Sequence, residues 1–459
     1  VLPVWLMSPE TTAILFPREP VFDLLIIDEA SQCTVENGLP VLTRARRAVI
    51  AGDDKQMPPS SFFKASSGIE ADQDENGESD VPADAFESES LLVLARHSGT
   101  GAPLRWHYRA LYEELIAFSN HSMYGGSLLT IPATVSRSAP PAVRWVRLED
   151  GKWDAGSNLP EARHVVTLLG QLLSRPNPPS VGIITFNLQQ RKAILDEIDA
   201  RRAEDGVFAE AYDKAASQES LDHRPFVKNL ESVQGDERDA IIFSLGYAPV
   251  KRLRKDGVEE SYVPARFGPL GQKGGERRLN VAVSRAKQEV TVVSSFDPSM
   301  LSVAHTKNDG PRMFKAFVEF ARHLGEGRRN QAEKILSLVN DASQRRRPTA
   351  QAAQESVQTL PLHHQISLAL EAAGLQVENL VGTSEFRLPV AIVHSANAHH
   401  YSLAILCDDG STLGDTYEDH VHVPNVLKHR GWRHLRVHAR EWHRERNRVI
   451  ERIQAALAA

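Results

Sequence analysis

Two adjacent carboxylates and several arginines set in polar loops are the residues of this sequence best equipped for chemistry. Asp28-Glu29-Ala30-Ser31-Gln32 follows the apolar run VFDLLII at 21–27. A strand-end carboxylate can hold Mg2+ through the ion's water shell, and its neighbour can orient or deprotonate a water. An acidic helix start would explain the same pair without chemistry. Gly52-Asp53-Asp54-Lys55-Gln56-Met57-Pro58-Pro59 follows a second apolar run, RAVIA at 47–51. The Gln56 amide, held on a tight loop stiffened by the two prolines, can sense a terminal phosphate; taken alone the segment is a well-formed turn. Arg105-Trp106-His107-Tyr108-Arg109 reads as a helix opening, from which Arg109 could reach a triphosphate and Tyr108 could stack on a base. In Ser232-Val233-Gln234-Gly235-Asp236-Glu237-Arg238-Asp239, Gly235 permits close approach of backbone to ligand and Glu237 could accept from a ribose hydroxyl. Arg277–Lys287 (RRLNVAVSRAK) reads as a helix with Arg278, Val281, Ala282 and Arg285 on one face. Such a face would aim planar guanidinium forks at phosphate. A surface arginine beside a core tyrosine, a polar loop and a solvated basic helix are the ordinary readings of the last three.

These segments need a scaffold. The runs at 21–27 and 47–51 read as buried strands ending in acidic residues, the end beyond which open α/β sheets bind ligands. Further strands are expected at 181–185, 240–245 and 290–294, with helical patterns at 111–118 and 191–198. That alternation predicts parallel α/β sheets. Residues 66–90, rich in Asp, Glu, Ser and Gly, read as a surface insertion, and the Arg- and Gln-rich stretch 326–354 as a connection. Beyond it, a helix over 362–373, extended stretches at 386–393 and 401–407 and a last helix over 443–458 predict a small α/β domain. The expected division is therefore 1–85, 86–325, a linker 326–354, and 355–459.

Length and composition agree. A chain of 459 residues is too long for one core. No apolar run approaches the ~20 residues of a membrane helix. Two distant cysteines, Cys33 and Cys407, exclude a disulfide framework and suit a reducing cytoplasm. The net charge of −6 leaves the partner open, since one basic groove suffices for nucleic acid. The start VLPVWLMSPE has no basic region ahead of its apolar stretch, unlike a signal peptide, and lacks an initiator Met, as a fragment would.

In their order, DEASQ, GDDKQMPP, HYR, SVQGDERD and RRLNVAVSRAK resemble motifs II, III, the arginine-bearing motif after III, V and VI of superfamily 1 helicases. The DEASQ form resembles the branch of the RNA-decay helicases and their bacterial relatives, and Ser8-Pro9 resembles a nucleic-acid-side motif of that group. The resemblance covers roughly residues 1–300 and implies two RecA-like motor domains, the first partial, using ATP and Mg2+. It implies Mg2+ on Asp28, a catalytic base in Glu29, γ-phosphate sensing by Gln56 and arginine fingers in Arg109 and Arg285. It places Tyr108, Gln234, Gly235, Glu237 and Arg278 at the nucleotide. The acidic pair should face the two guanidinium groups across a shared crevice. Nucleic acid is the implied partner, with DNA favoured over RNA and 5′→3′ movement implied; His107, Lys228 and the run Lys251-Arg252-Leu253-Arg254-Lys255 are candidates to engage the strand.

No GxxxxGK[ST] occurs in the chain. The family carries that phosphate-cradling loop upstream of DEASQ, so the chain is expected to begin partway through the first motor domain and to hydrolyse little ATP by itself. Residues 355–445 resemble the restriction-endonuclease-like domains appended to large bacterial members, through Gly382–Arg387, Pro389–Val393, Cys407-Asp408 with Gly410, Gly431-Trp432 and Trp442. Pro389 and Leu406 stand where that pattern has acids, and His363 and His364 where its helix has one. Asp408 and Asp409 remain, so a degenerate nuclease fold that binds or docks is expected. A Mg-dependent nuclease, or a non-catalytic binding protein on a helicase scaffold, are the alternatives.

Overall fold

The computed structural model describes residues 3–59, 90–253, 259–264, 266–344, 360–408 and 416–458. The acidic stretch up to residue 89, Arg254 and Lys255 of the basic run, residues 345–354 of the expected connection, Asp409 and Gly410 lie outside the described residues. The chain forms two compact units. One comprises Val1–Leu104, Pro269–Val281 and Lys307–Pro311; the other comprises Arg105–Gly268, Ala282–Thr306 and Arg312–Ala459.

In the first unit, β1 (Leu25–Ile27) pairs in parallel with β2 (Ala48–Ile50), Leu25 opposite Ala48. Both strands are shorter than the apolar runs that suggested them. They are also not buried as expected: Ile26 is 64% and Val49 50% exposed. Two strands cannot cover their own faces, and the apolar support here is the small cluster of Ile27, Ala30, Leu91 and Leu92. Ser8 caps the helix Pro9–Leu15, its hydroxyl accepting from the Thr11 amide (3.2 Å) with Pro9 in the first turn. Buried Arg44 donates to the Phe16 and Ala13 carbonyls (3.0 and 2.8 Å), tying the turn after helix Val35–Leu42 to the first helix.

The second unit holds a parallel sheet. Its strands are β3 (Val143–Arg147), β4 (Val181–Thr185), β5 (Phe226–Asn229) and β6 (Arg238–Ser244); after the hairpin β7 (Val250–Leu253) and β8 (Glu259–Tyr262) comes β9 (Ala286–Ser294). The order is β3-β9-β6-β4-β5, all parallel. Helices Leu159–Leu173 and Leu188–Glu204 bury Val165, Leu169, Ile194 and Ile198 against Ile183, Ile242 and Val293. The three strands expected from sequence are the central ones, apolar on both faces. The edge strands β3 (VRWVR) and β5 (FVKN) carry charge and give no such run. Residues 329–344, part of the stretch expected to be a connection, form a helix packed on Glu114–Met123.

The C-terminal residues form β10 (Val377–Val381), β11 (Leu388–His394), β12 (Asn397–Asp408) and β13 (His434–His438), in that order, antiparallel except for the parallel β12–β13 pair. The expected last helix is two, Ala439–Arg444 and Arg446–Ala458, broken at Glu445. This small sheet shares a core with the parallel-sheet domain: Leu129 and Ile131 pack among Val381, Phe386, Leu388 and Trp432. Trp432 Nε1 donates to the Pro132 carbonyl (2.7 Å) and the Tyr401 amide to that of Thr134 (2.9 Å).

Candidate functional site

The first unit carries Asp28, Glu29, Gln56 and Arg278. Asp28 and Glu29 end β1 and point into solvent. Asp28 Oδ1 accepts from the Glu29 amide (2.9 Å), and Glu29 takes a left-handed φ of 51°, an uncommon conformation for a side-chain-bearing residue. Gln32 Nε2 steadies Glu29 Oε2 at 3.1 Å. The following loop lies close by: the Ala30 amide donates to Ala51 (2.8 Å), and a Cβ at Gly52 would stand 2.9 Å from the Ser31 nitrogen, so only glycine fits. Gln56 Nε2 donates to Asp53 Oδ2 (3.1 Å), and Asn280 Nδ2 donates to the Lys55 carbonyl (2.8 Å). Asn280 and Arg278 share the helix Gly275–Val283, where Arg278 reaches the Pro269 carbonyl and Gln272 at 3.5 Å.

Among the described residues no three His, Cys, Asp or Glu side chains converge as a metal cage. A lone carboxylate pair fits Mg2+, which is usually held by one or two carboxylates plus substrate phosphates and water. It fits less well an ion bound by protein alone.

The second unit gathers Tyr108, Arg109, Gln234, Gly235, Glu237 and Arg285 at the N-terminal ends of β6 and β9. Glu237 is the hub: Arg109 Nε donates to its Oε2 (2.5 Å) and Lys287 Nζ to its Oε1 (2.7 Å). Burial alone would raise the Glu237 pKa, but the hydrogen bonds and charges of Lys287 and Arg109 outweigh it and hold the carboxyl at about 2. Arg285 is not on the helix with Arg278, as the sequence pattern suggested: the helix ends at Val283, and Arg285 sits in the turn entering β9. There it is 2% exposed and reaches Asp236 O (3.5 Å) and Ser284 Oγ (3.2 Å). Likewise, residues 105–109 do not open a helix; the segment is extended, Trp106 bridging Leu129, and the helix begins at Glu114.

Gly235 adopts φ of 85° with open space where a Cβ would project, so conformation rather than crowding selects glycine. Both amide atoms of Gln234 are buried without a hydrogen-bond partner. Because a buried amide is normally paired, this orphan suits a residue that completes its bonding with a ligand.

The strand-engaging candidates fare differently. His107 faces inward: its Nε2 accepts from the Ala110 amide (3.1 Å), and burial together with the charges of Arg109, Arg430 and Arg285 lowers its pKa to about 4. It is a neutral acceptor, not a cation for phosphate. Lys228 is paired with Asp236, and Lys251 with Glu259 at 3.1 Å. Sequence reasoning gave no role to Lys287, and it missed Arg430, which lies far along the chain and outside any motif.

In the C-terminal domain, Leu406 is a core side chain, 5% exposed, and Asp408 Oδ2 is bonded to His438 Nδ1 (2.7 Å). The described residues therefore contain no carboxylate cluster for phosphodiester cleavage.

The parallel sheet of the second unit has the architecture of a RecA-like domain. Residues 88–297 match a family model described as an AAA domain, residues 11–63 match a second of the same description, and residues 363–457 match the family REase_MTES_1575. The chain is 32% identical, over its whole length, to an uncharacterised ATP-dependent helicase of Mycoplasma pneumoniae, of which it covers 39%. It is 25% identical, over 61% of its length, to the DNA polymerase alpha-associated DNA helicase A of Saccharomyces cerevisiae, again covering 39% of that protein. The arterivirus nonstructural protein 10 (helicase) solved with DNA matches 60% of the chain and 40% of its own at 15% identity and a TM-score of 0.27. The chain is similar to superfamily 1 helicases and, over residues 363–457, to a restriction-endonuclease-like domain. It spans about two fifths of the curated relatives named.

Proposed function

We propose that the chain serves an ATP-dependent helicase or translocase, in which ATP hydrolysis is coupled to movement on nucleic acid. In this reading Asp28 holds Mg2+, which supplies charge neutralisation at the phosphates, and Glu29 orients and deprotonates the attacking water. Gln56 sits on a loop already tied to Asn280, so a change at that loop is felt along the helix that carries Arg278. Arg109 and Arg285 stabilise the charge of the transferring phosphoryl group, and Gln234 and Glu237 contact nucleotide or hold the residues that do. Tyr108, 53% exposed, offers a ring for base stacking. The observation that carries the reading is the concentration of Arg109, Lys287 and Arg285 about Glu237 and Asp236 at one end of two central strands. DNA is favoured over RNA because the yeast relative is named a DNA helicase.

The test is nucleic-acid-stimulated ATP hydrolysis by the full-length protein. Glu29→Gln should abolish turnover, and Arg109→Ala or Arg285→Ala should each lower kcat about 10²–10⁴-fold with smaller effects on KM. Hydrolysis that survives Glu29→Gln would sink the assignment.

A further inference from the structure

The extended segment that ends in Arg109 is held by the C-terminal domain at Arg105, Trp106 and Tyr108. Arg105 pairs with Glu385. Trp106 Nε1 donates to Glu418 Oε1, and its ring meets Phe386 edge-on (centroids 5.3 Å apart) and lies tilted 5.4 Å from His422. The Tyr108 hydroxyl lies 3.1 Å from His422 Nε2. Arg430 donates to the Tyr108 carbonyl, the peptide that leads directly into Arg109. Arg430 also joins Arg109 and Arg285 as the third guanidinium whose charge bears on His107.

Packing alone would not arrange these contacts so. The Tyr108 ring stays half exposed while its hydroxyl is held, and two of the polar contacts, from His422 and Arg430, fall on Tyr108, the residue that would meet the base and that precedes Arg109. Neither His422 nor Arg430 belongs to any motor motif. His422 closes a one-turn helical stretch at Glu418–His422, and Arg430 follows the helix Val423–His429, so both ride on one rigid stretch.

We propose that His422 and Arg430 are positioning residues of the nucleotide site, the nuclease-like domain setting the orientation of Tyr108 through its hydroxyl and the reach of Arg109 through the preceding peptide. This rests on the function proposed above. The domain is then a working part of the motor, and a disturbance of it is transmitted to nucleotide choice and turnover through Tyr108 and the peptide that joins it to Arg109.

The experiment compares ATP and GTP hydrolysis by the full-length protein in the presence of single-stranded DNA. His422→Ala should change the ratio of kcat/KM for ATP over GTP about fivefold, the effect of one hydrogen bond on ring placement. Arg430→Ala should lower kcat about tenfold or more with little change in KM, as expected of a misplaced catalytic group. Arg430→Lys and His422→Gln, which keep a donor at similar reach, should recover part of each loss even if the alanine variants are destabilised. Unchanged nucleotide ratio and kcat, or a parallel loss on both nucleotides that the conservative variants do not recover, overturns the positioning role alone. A wild-type protein that hydrolyses neither nucleotide overturns the function and this inference together.

Discussion

Glu237 shows how one carboxylate can organise a basic site. With Arg109 and Lys287 both bonded to it, its charge costs little to keep, and its depressed pKa makes that charge present at every pH well above about 2. Glu237→Ala leaves two cations facing each other without their counter-ion. Arg109, one-third exposed, would then swing to solvent. The expected result in the full-length protein is a fall in kcat of about tenfold or more, and Glu237→Gln, which keeps one acceptor for Arg109, should fall less. Steady-state hydrolysis measured above pH 6 checks this, and an unchanged kcat for the alanine variant would remove Glu237 from the site. Arg109, Glu237 and Arg285 stood out in the sequence because each sits in a short polar motif, although Arg109 and Arg285 were read on helices where the structure has an extended segment and a turn. Lys287 lay inside such a pattern but had no role until its distance to Glu237 was known. Arg430 had no sequence signal at all, because its place depends on a tertiary contact across more than 300 residues.

The element most responsible for linking domains is the run from Arg105 to Ser136, which leaves the candidate site, forms the helix Glu114–Met123 and ends bonded along the C-terminal sheet. Its Leu129 is 3% exposed and lies with Ile131 in a core made mostly by C-terminal residues, while its own amide and carbonyl bond to Arg105 and His107. Leu129→Ala removes apolar burial from that core without touching a polar group, at a cost of about 2–5 kcal/mol. Protection from amide exchange should fall in β10, β11 and the 105–109 segment while β4 and β6 remain protected. Uniform loss across the parallel sheet would show that the shared core is not the local joint described. Sequence patterning found the central strands β4, β6 and β9 because strands buried on both faces are continuously apolar. It missed β3 and β5, whose edge positions let charged residues stay, and it extended a helix through Arg285 because the motif's periodicity continues past the true end at Val283.

At the scale of the molecule, the second unit has an ionisable group in its middle. Glu161 is fully buried, and both its oxygens are engaged: Oε1 accepts from Ser244 Oγ (2.8 Å) and Gly246 N (2.7 Å), Oε2 from Asn158 Nδ2 and Ser295 Oγ (both 3.0 Å). Burial raises its pKa, the hydrogen bonds oppose that rise, and the balance is about 7. An acid whose pKa is higher folded than unfolded binds more protons in the native state between the two values. Its contribution to stability is therefore greatest below the ordinary glutamate range, declines as pH rises towards about 7, and is level above that. Because the C-terminal domain shares a core with Leu129 and Ile131 of this unit, both should melt together and report the same slope. The melting temperature of the wild-type unit should drop between about pH 5 and pH 7 by an amount that Glu161→Gln largely removes, since the amide cannot titrate. A wild-type slope that persists unaltered in Glu161→Gln would assign the pH dependence elsewhere, and two separate transitions would show that the C-terminal domain folds independently of the parallel sheet.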